Sequence, residues 1–270
     1  MFGLFALSVA GSAAGQTRSL HSHRLAGNSY VTVSELVDTY QLSRSQISVE
    51  ADQREITLNG VQHWLSAPVL ATRGQVWITS RDVLKSIDPV LRQGRSTNHT
   101  PIRTIVLDPG HGGSDTGTRG QHSVEKKFTL DVARRVENLL EADGLNVLLT
   151  RTTDRTLGLD ERVEFARAKR ADLFVSIHFN SGGSAEGIET YCVPPAGTAS
   201  TASGRFYRDE REAVAGNRYD ERNVWLAHCV QRSALRATGA PDRGVRRARF
   251  VVIRDAPCPA ILIEGGFLSN

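Results

Sequence analysis

Three cysteines, Cys192, Cys229 and Cys258, are all that the 270 residues hold. They are too few for a disulfide framework and lack the close pairing of a zinc knuckle, so three small buried hydrophobes are expected. No run approaches the ~18 apolar residues of a membrane-spanning helix, so no stable membrane span is expected. Lysine is scarce, at four positions (Lys85, Lys126, Lys127, Lys169), and no function is read into that. Charge of one sign is concentrated nowhere. Nine basic residues face seven acidic ones up to Asn98, and 24 face 22 after it, for a net charge of +4. A nucleic-acid partner needs a basic stripe and is therefore not expected, while an anionic substrate remains compatible. Hydrophobic residues at 40% and charged residues at 23% exclude wholesale disorder.

Several catalytic signatures are also missing. Gly110-His111-Gly112-Gly113 follows an expected strand, where glycine loops cradle anions. No G-K-[ST] follows it, and Asp115 stands where a dinucleotide fingerprint needs glycine. Gly112-Gly113-Ser114-Asp115-Thr116 and Gly182-Gly183-Ser184-Ala185-Glu186 both lack the closing glycine of a serine-hydrolase elbow.

Residues 1–10 are apolar and 11–15 mostly small, and Ser12-Ala13-Ala14 suits a signal-peptidase cut. A positive charge before that stretch is lacking, since the first is Arg18. The expectation is a signal peptide over 1–15 and an exported protein. Over 29–95 the pattern is short strands (30–33, 47–50, 55–58, 75–78) with helical turns at 35–40. Thr79 or Ser80 is placed to cap a small helix holding Val83 and Leu84. This predicts a small α+β accessory domain. Residues 96–101 read as a linker.

From 102 to 270 strands alternate with helices. Strands are expected at 103–108, 145–150, 173–178, 187–193 and 261–264, and helices at 124–141, 159–168 and 224–235. The pattern predicts an α/β domain, a mostly parallel sheet with helices on both faces. Chemistry in such sheets collects at the carboxyl ends of strands. His111 lies just past the first of these strands, His178 ends the third, Glu264 ends the last, and Glu125 opens the long helix. Two histidines with one carboxylate and an open position form a recurrent catalytic zinc set, leaving a second carboxylate as base. Each residue alone has a plainer role: a turn histidine, or for Glu125 a favourable charge at a helix N-terminus. Glu264 is harder to dismiss, because burial within Pro259-Ala260-Ile261-Leu262-Ile263 is costly without a partner.

Five segments in order resemble the zinc-dependent N-acetylmuramoyl-L-alanine amidases: Leu107-Asp108-Pro109-Gly110-His111-Gly112-Gly113, Val124-Glu125-Lys126, Leu149-Thr150-Arg151, Ser176-Ile177-His178-Phe179-Asn180-Ser181, and Pro259 through Asn270. The resemblance implies one zinc ion per chain on His111, Glu125 and His178, with Glu264 as the catalytic carboxylate. It implies hydrolysis of the amide joining N-acetylmuramic acid to L-alanine in peptidoglycan, in the periplasm or outside the cell. Arg151 and Arg162 are expected to be structural, Asn180 to touch substrate or fix its loop, and His122 not to be a ligand. In the family the chain continues into a terminal helix beyond the position of Asn270. The polar stretch 196–221 is expected to form a rim loop and not a plug over the site. Arg243-Gly244-Val245-Arg246-Arg247-Ala248-Arg249 reads as a solvated face before a carboxylate-attracting one. Residues 29–95 resemble the copper-amine-oxidase-like N-terminal module in shape only, since His63 stands alone and offers no copper site. The rival readings are a zinc peptidase or deacetylase acting on cell-wall material, and an inactive peptidoglycan-binding module.

Overall fold

A computed structural model describes residues 5–7, 20–25, 27–43, 45–93, 101–120, 123–201 and 211–269. The chain divides into two compact units, 1–97 and 98–270. Most of the expected signal peptide, residues 96–100 of the linker, His122 and residues 202–210 of the rim stretch lie outside the described residues.

The first unit contains β1 (Phe5–Leu7), β2 (Leu20–Leu25), β3 (Asn28–Thr32), α1 (Val33–Tyr40), β4 (Ile47–Val49), β5 (Glu55–Leu58), β6 (Val61–Trp64), β7 (Leu70–Thr72), β8 (Gln75–Thr79), α2 (Ser80–Asp82) and α3 (Asp88–Gln93). The strands β1-β2-β3-β8-β7 pair antiparallel in that order, and β4, β5 and β6 form an antiparallel meander. Thr32 caps α1 by accepting from the Glu35 amide at 3.1 Å, and Thr79 caps α2 by accepting from the Asp82 amide at 3.1 Å. These hydroxyls satisfy helix-end amides that have no partner in the helix. A π-helical turn, Val83–Ile87, joins α2 to α3. Tyr40 donates to Asp88 at 2.5 Å and ties α1 to α3.

The second unit contains β9 (Thr104–Pro109), α4 (Glu125–Ala142), β10 (Asn146–Leu149), α5 (Leu159–Ala168), β11 (Leu173–Asn180), β12 (Ile188–Cys192), α6 (Asp220–Thr238), β13 (Asp242–Arg247), α7 (Val251–Arg254) and β14 (Ala260–Phe267). Its strands lie in the order β10-β9-β11-β14-β12-β13. All neighbours are parallel except β14 and β12. Strand alternation sends Ile105, Leu107 and Ile177 to the face covered by α4 through Ala133, Leu130 and Val136. Val106, Phe174 and Leu262 point to the other face, where Ala166 of α5 and Val252 and Ile253 of α7 pack. Burying each such side chain stabilises the fold by about 1.5–3 kcal/mol. Thr190, register partner of Ile263, donates to Gln231 of α6 at 2.7 Å, which puts α6 on the α4 side. The fold is α/β, with a mostly parallel sheet covered on both faces and a small α+β unit before it.

One sequence reading is overturned here. The arginine run over 243–249 is not a solvated face: residues 243–247 belong to β13, Arg247 is buried, and Arg243 and Arg246 both engage buried Glu189. The segment Asp-Arg-Gly-Val-Arg-Arg lacks apolar alternation, so strand periodicity was invisible in it. Cys192 and Cys258 are buried and Cys229 partly so, all as free thiols.

Candidate metal centre

Past β9 the chain turns through Gly110, His111 and Gly112. His111 takes a left-handed backbone, with φ at 62°, a conformation that costs energy for a non-glycine residue and must be held from outside. Two buried guanidiniums hold it. Arg151 donates to the carbonyls of Pro109 and Gly110, each at 2.9 Å. Arg162 donates to the carbonyl of Pro109 at 2.8 Å, to that of His111 at 2.8 Å, and to the Asp108 carboxylate at 2.6 Å. Asp108 is also anchored by the hydroxyls of Thr150 and Ser176. The structural reading of Arg151 and Arg162 fits these contacts.

Glycine is required where rings approach the loop. A Cβ on Gly110 would lie 2.3 Å from the His178 ring, and one on Gly117 would lie 2.5 Å from Glu125 Oε2. The resulting geometry brings three donors together. His111 Nε2 lies 3.0 Å and His178 Nδ1 2.9 Å from the same oxygen, Glu125 Oε1. One ligand atom from each residue falls within 4.8 Å of the other two. The histidine rings meet edge to face, 4.8 Å between centroids. Glu125 sits in the first turn of α4, and its carboxylate accepts from the amides of Thr118 and Phe179 at 2.8 and 3.0 Å. Burial opposes its ionisation, but the hydrogen bonds from both histidines and both amides outweigh it and hold the carboxyl well below the usual range. For His111 burial again acts first, and the bonds to Glu125 and Asp115 reverse it, raising the imidazole. Two imidazoles and a carboxylate are a donor set that catalytic zinc sites use, and the cluster is one that could hold a metal ion.

Glu264 lies beside the cluster. It is the register partner of His178 on the adjacent strand. Burial, reinforced by Glu125 and Glu189, pushes its carboxyl up to about 8. Its Oε2 is buried with no hydrogen-bond partner among the described residues. His111 thus lies just past β9, with Glu125, His178 and Glu264 near it. But β11 and β14 run on to Asn180 and Phe267, two and three residues beyond His178 and Glu264, so neither residue ends its strand as the sequence suggested. Asn180 donates to Glu189 at 2.8 Å and accepts from the Ser181 amide at 2.7 Å, which fixes the loop after β11.

Two neighbours escaped sequence reasoning. Asp115 accepts from His111 Nδ1 at 2.8 Å, the carboxylate partner that sets the tautomer of a ligating histidine. Its spacing four residues after His111 was the available signal. Glu189, almost wholly buried on β12, is the register partner of Glu264. The burial argument applied to Glu264 would have found it, since Ile188 and Val193 enclose it in sequence.

A family profile for N-acetylmuramoyl-L-alanine amidases matches residues 105–270. The N-acetylmuramoyl-L-alanine amidase CwlM of Bacillus licheniformis is 37% identical over 168 residues, covering 62% of this chain and 57% of that protein. The amidase AmiC of Neisseria meningitidis serogroup B is 31% identical over 288 residues, covering 93% of this chain and 68% of that protein. The catalytic domain of the amidase CwlV from Paenibacillus polymyxa superposes with a TM-score of 0.51 at 35% identity, covering 63% of this chain and 83% of that domain. The chain thus spans little more than half the length of CwlM.

Proposed function

Because the chain belongs to the N-acetylmuramoyl-L-alanine amidase family, we propose that it is a zinc-dependent cell-wall hydrolase cutting the amide between N-acetylmuramic acid and the L-alanine of the stem peptide. The observation that carries this reading is the convergence of His111, Glu125 and His178 on one point with Glu264 beside them.

In the proposal His111, Glu125 and His178 hold one zinc ion. Zinc in such a site acts as a Lewis acid and supplies a nucleophile near neutral pH. Asp115 fixes His111 with Nε2 toward the site. With a cation on the neighbouring donors favouring its ionised form, Glu264 would take the proton of the attacking water and return it to the leaving amine nitrogen, a role suited to a carboxylate whose Oε2 is committed to no protein donor among the described residues. The buried Asp108, Arg151 and Arg162 network keeps the His111 turn rigid while these groups act. Family membership implies action outside the cytoplasm, and periplasmic or extracellular location belongs to the proposal. Among the described residues no helix is long and apolar enough to cross a membrane. A copper-amine-oxidase-like shape for residues 29–95 belongs to it as well, supported by their short antiparallel strands and capped helices.

The test is product analysis on purified peptidoglycan with the zinc content of the chain measured in parallel. The expected result is one zinc per chain and stem peptides bearing a free L-alanine amine. Released acetate would favour a deacetylase, and new amines within the stem a peptidase.

A further inference from the structure

Phe128 lies three residues after Glu125, as its neighbour on the surface of α4, and remains 38% exposed. Its ring meets that of Phe179, 5.9 Å between centroids at 56°. Phe179 follows His178 on β11, and its amide donates to Glu125 Oε1 at 3.0 Å. The Phe179 ring also lies against Gly265, which follows Glu264 on β14. A Cβ on that glycine would fall 3.1 Å from Phe179 Cε1. The two rings are therefore seated on the backbone that carries two candidate ligands and the candidate base. The other flank has a different chemistry. Glu264 pairs there with buried Glu189, which accepts from Asn180 and Tyr191 at 2.8 and 2.9 Å and from Arg243 at 3.1 Å. One flank of the centre thus offers phenyl rings, and the other a charged, hydrogen-bonded network.

We propose that Phe128 and Phe179 form the subsite for the sugar ring of the N-acetylmuramoyl group, on the acyl side of the scissile amide. The inference rests on the amidase reading above. An amide held at the centre has its acyl group on one side and its amine on the other, and here the two differ in charge. The stem peptide bears free carboxylate, which would lose hydration against a phenyl ring and meet the negative face of its quadrupole. The sugar is uncharged, because its lactyl carboxyl is spent in the amide. Its C–H bonds point weakly positive hydrogens outward, which suits that same negative face. Covering Phe128 with the sugar also takes exposed apolar surface out of water. Rings already packed on each other and on Gly265 lose little freedom on binding.

The experiment uses the zinc-loaded full chain and one stem peptide capped in two ways. One cap is N-acetylmuramic acid, and the other is the same lactyl ether with methyl in place of the sugar. Wild type is expected to favour the sugar-bearing substrate by about 10-fold in kcat/KM, expressed in KM, as contact with two aromatic rings implies. Phe128→Leu keeps apolar bulk but loses the ring, and should cut that ratio about 3- to 10-fold. Phe128→Tyr keeps the ring and should retain the ratio. A second measurement needs no variant. In proton NMR, the ring C–H resonances of N-acetylmuramic acid titrated with wild type should move upfield, as protons over an aromatic face do. Equal hydrolysis of both substrates by wild type, equal losses on both in Phe128→Leu, or unmoved sugar resonances overturn the assignment and leave the amidase reading standing. Hydrolysis of neither substrate by wild type overturns both.

Discussion

Arg162 donates through Nη2 to the main-chain carbonyl of His111 at 2.8 Å, and through Nη1 to the buried carboxylate of Asp108 at 2.6 Å. One guanidinium therefore spans the end of β9 and the strained turn that carries the first candidate ligand. The site's precision depends on a residue that touches neither metal nor substrate in the proposed mechanism.

Replacing Arg162 with Met leaves Asp108 buried and without its cation, and releases the His111 carbonyl. Breaking a buried pair from one side costs about 3–5 kcal/mol, so the denaturation midpoint should fall sharply. Zinc affinity, measured by competition with a chelator, should fall with it. Arg162→Lys keeps charge but cannot span three acceptors, and should lie between the two. Unchanged stability and zinc affinity in Arg162→Met would refute the role.

The two carboxylates near the centre should separate under conservative substitution. Glu264→Gln keeps shape but cannot accept a proton, so zinc should remain while kcat falls by ~10²–10⁴-fold or more. Glu125→Gln should instead weaken zinc binding. The opposite pattern, with zinc lost from Glu264→Gln and retained by an inactive Glu125→Gln, would exchange the assigned roles.

Asp115 lies in the chain four residues beyond His111 and is exposed, so its loss should not damage the fold. Asp115→Asn still accepts a hydrogen bond but removes the charge that polarises His111. Zinc affinity should drop by about 10- to 100-fold, the usual cost of losing an outer-shell partner. Thermal stability of the metal-free protein should hardly move. An unchanged zinc Kd would show that His111 orients without Asp115.

His228, buried in α6 and stacked on Trp225, should shape the pH dependence of stability. Burial, aided by the charge of Arg232, pushes its pKa down to about 4. Between the ordinary value of 6.5 and about 4 the unfolded chain binds the proton and the folded chain does not. This contribution is therefore complete above 6.5 and is lost as pH falls toward 4. A Tm series across that range should show a shallower acid-side decline in His228→Phe than in wild type. Parallel curves would exclude His228 as a contributor.

Much of the second unit was legible in the residues. Apolar runs such as Ile105-Val106-Leu107 mark buried strands, and the helical spacing of Val132 and Val136 marks α4. Once strands and helices alternate, the rule that chemistry gathers at carboxyl ends of strands selects His111, His178 and Glu264 without coordinates. Less legible were β13, whose arginines hide its periodicity, and the antiparallel pairing of β12 with β14, which reverses an otherwise parallel order.

The sequence by itself determined the α/β class of residues 102–270 and nominated four candidate site residues, because local periodicity is a property of neighbouring positions. The tertiary structure alone decided what supports them. Arg151 and Arg162 act on main-chain carbonyls of Pro109, Gly110 and His111, and a carbonyl carries no mark of its role in the residue that bears it. Glu189 meets Arg243 across 54 residues of chain. Such contacts follow from sheet register, and register is set by the packing of the whole domain.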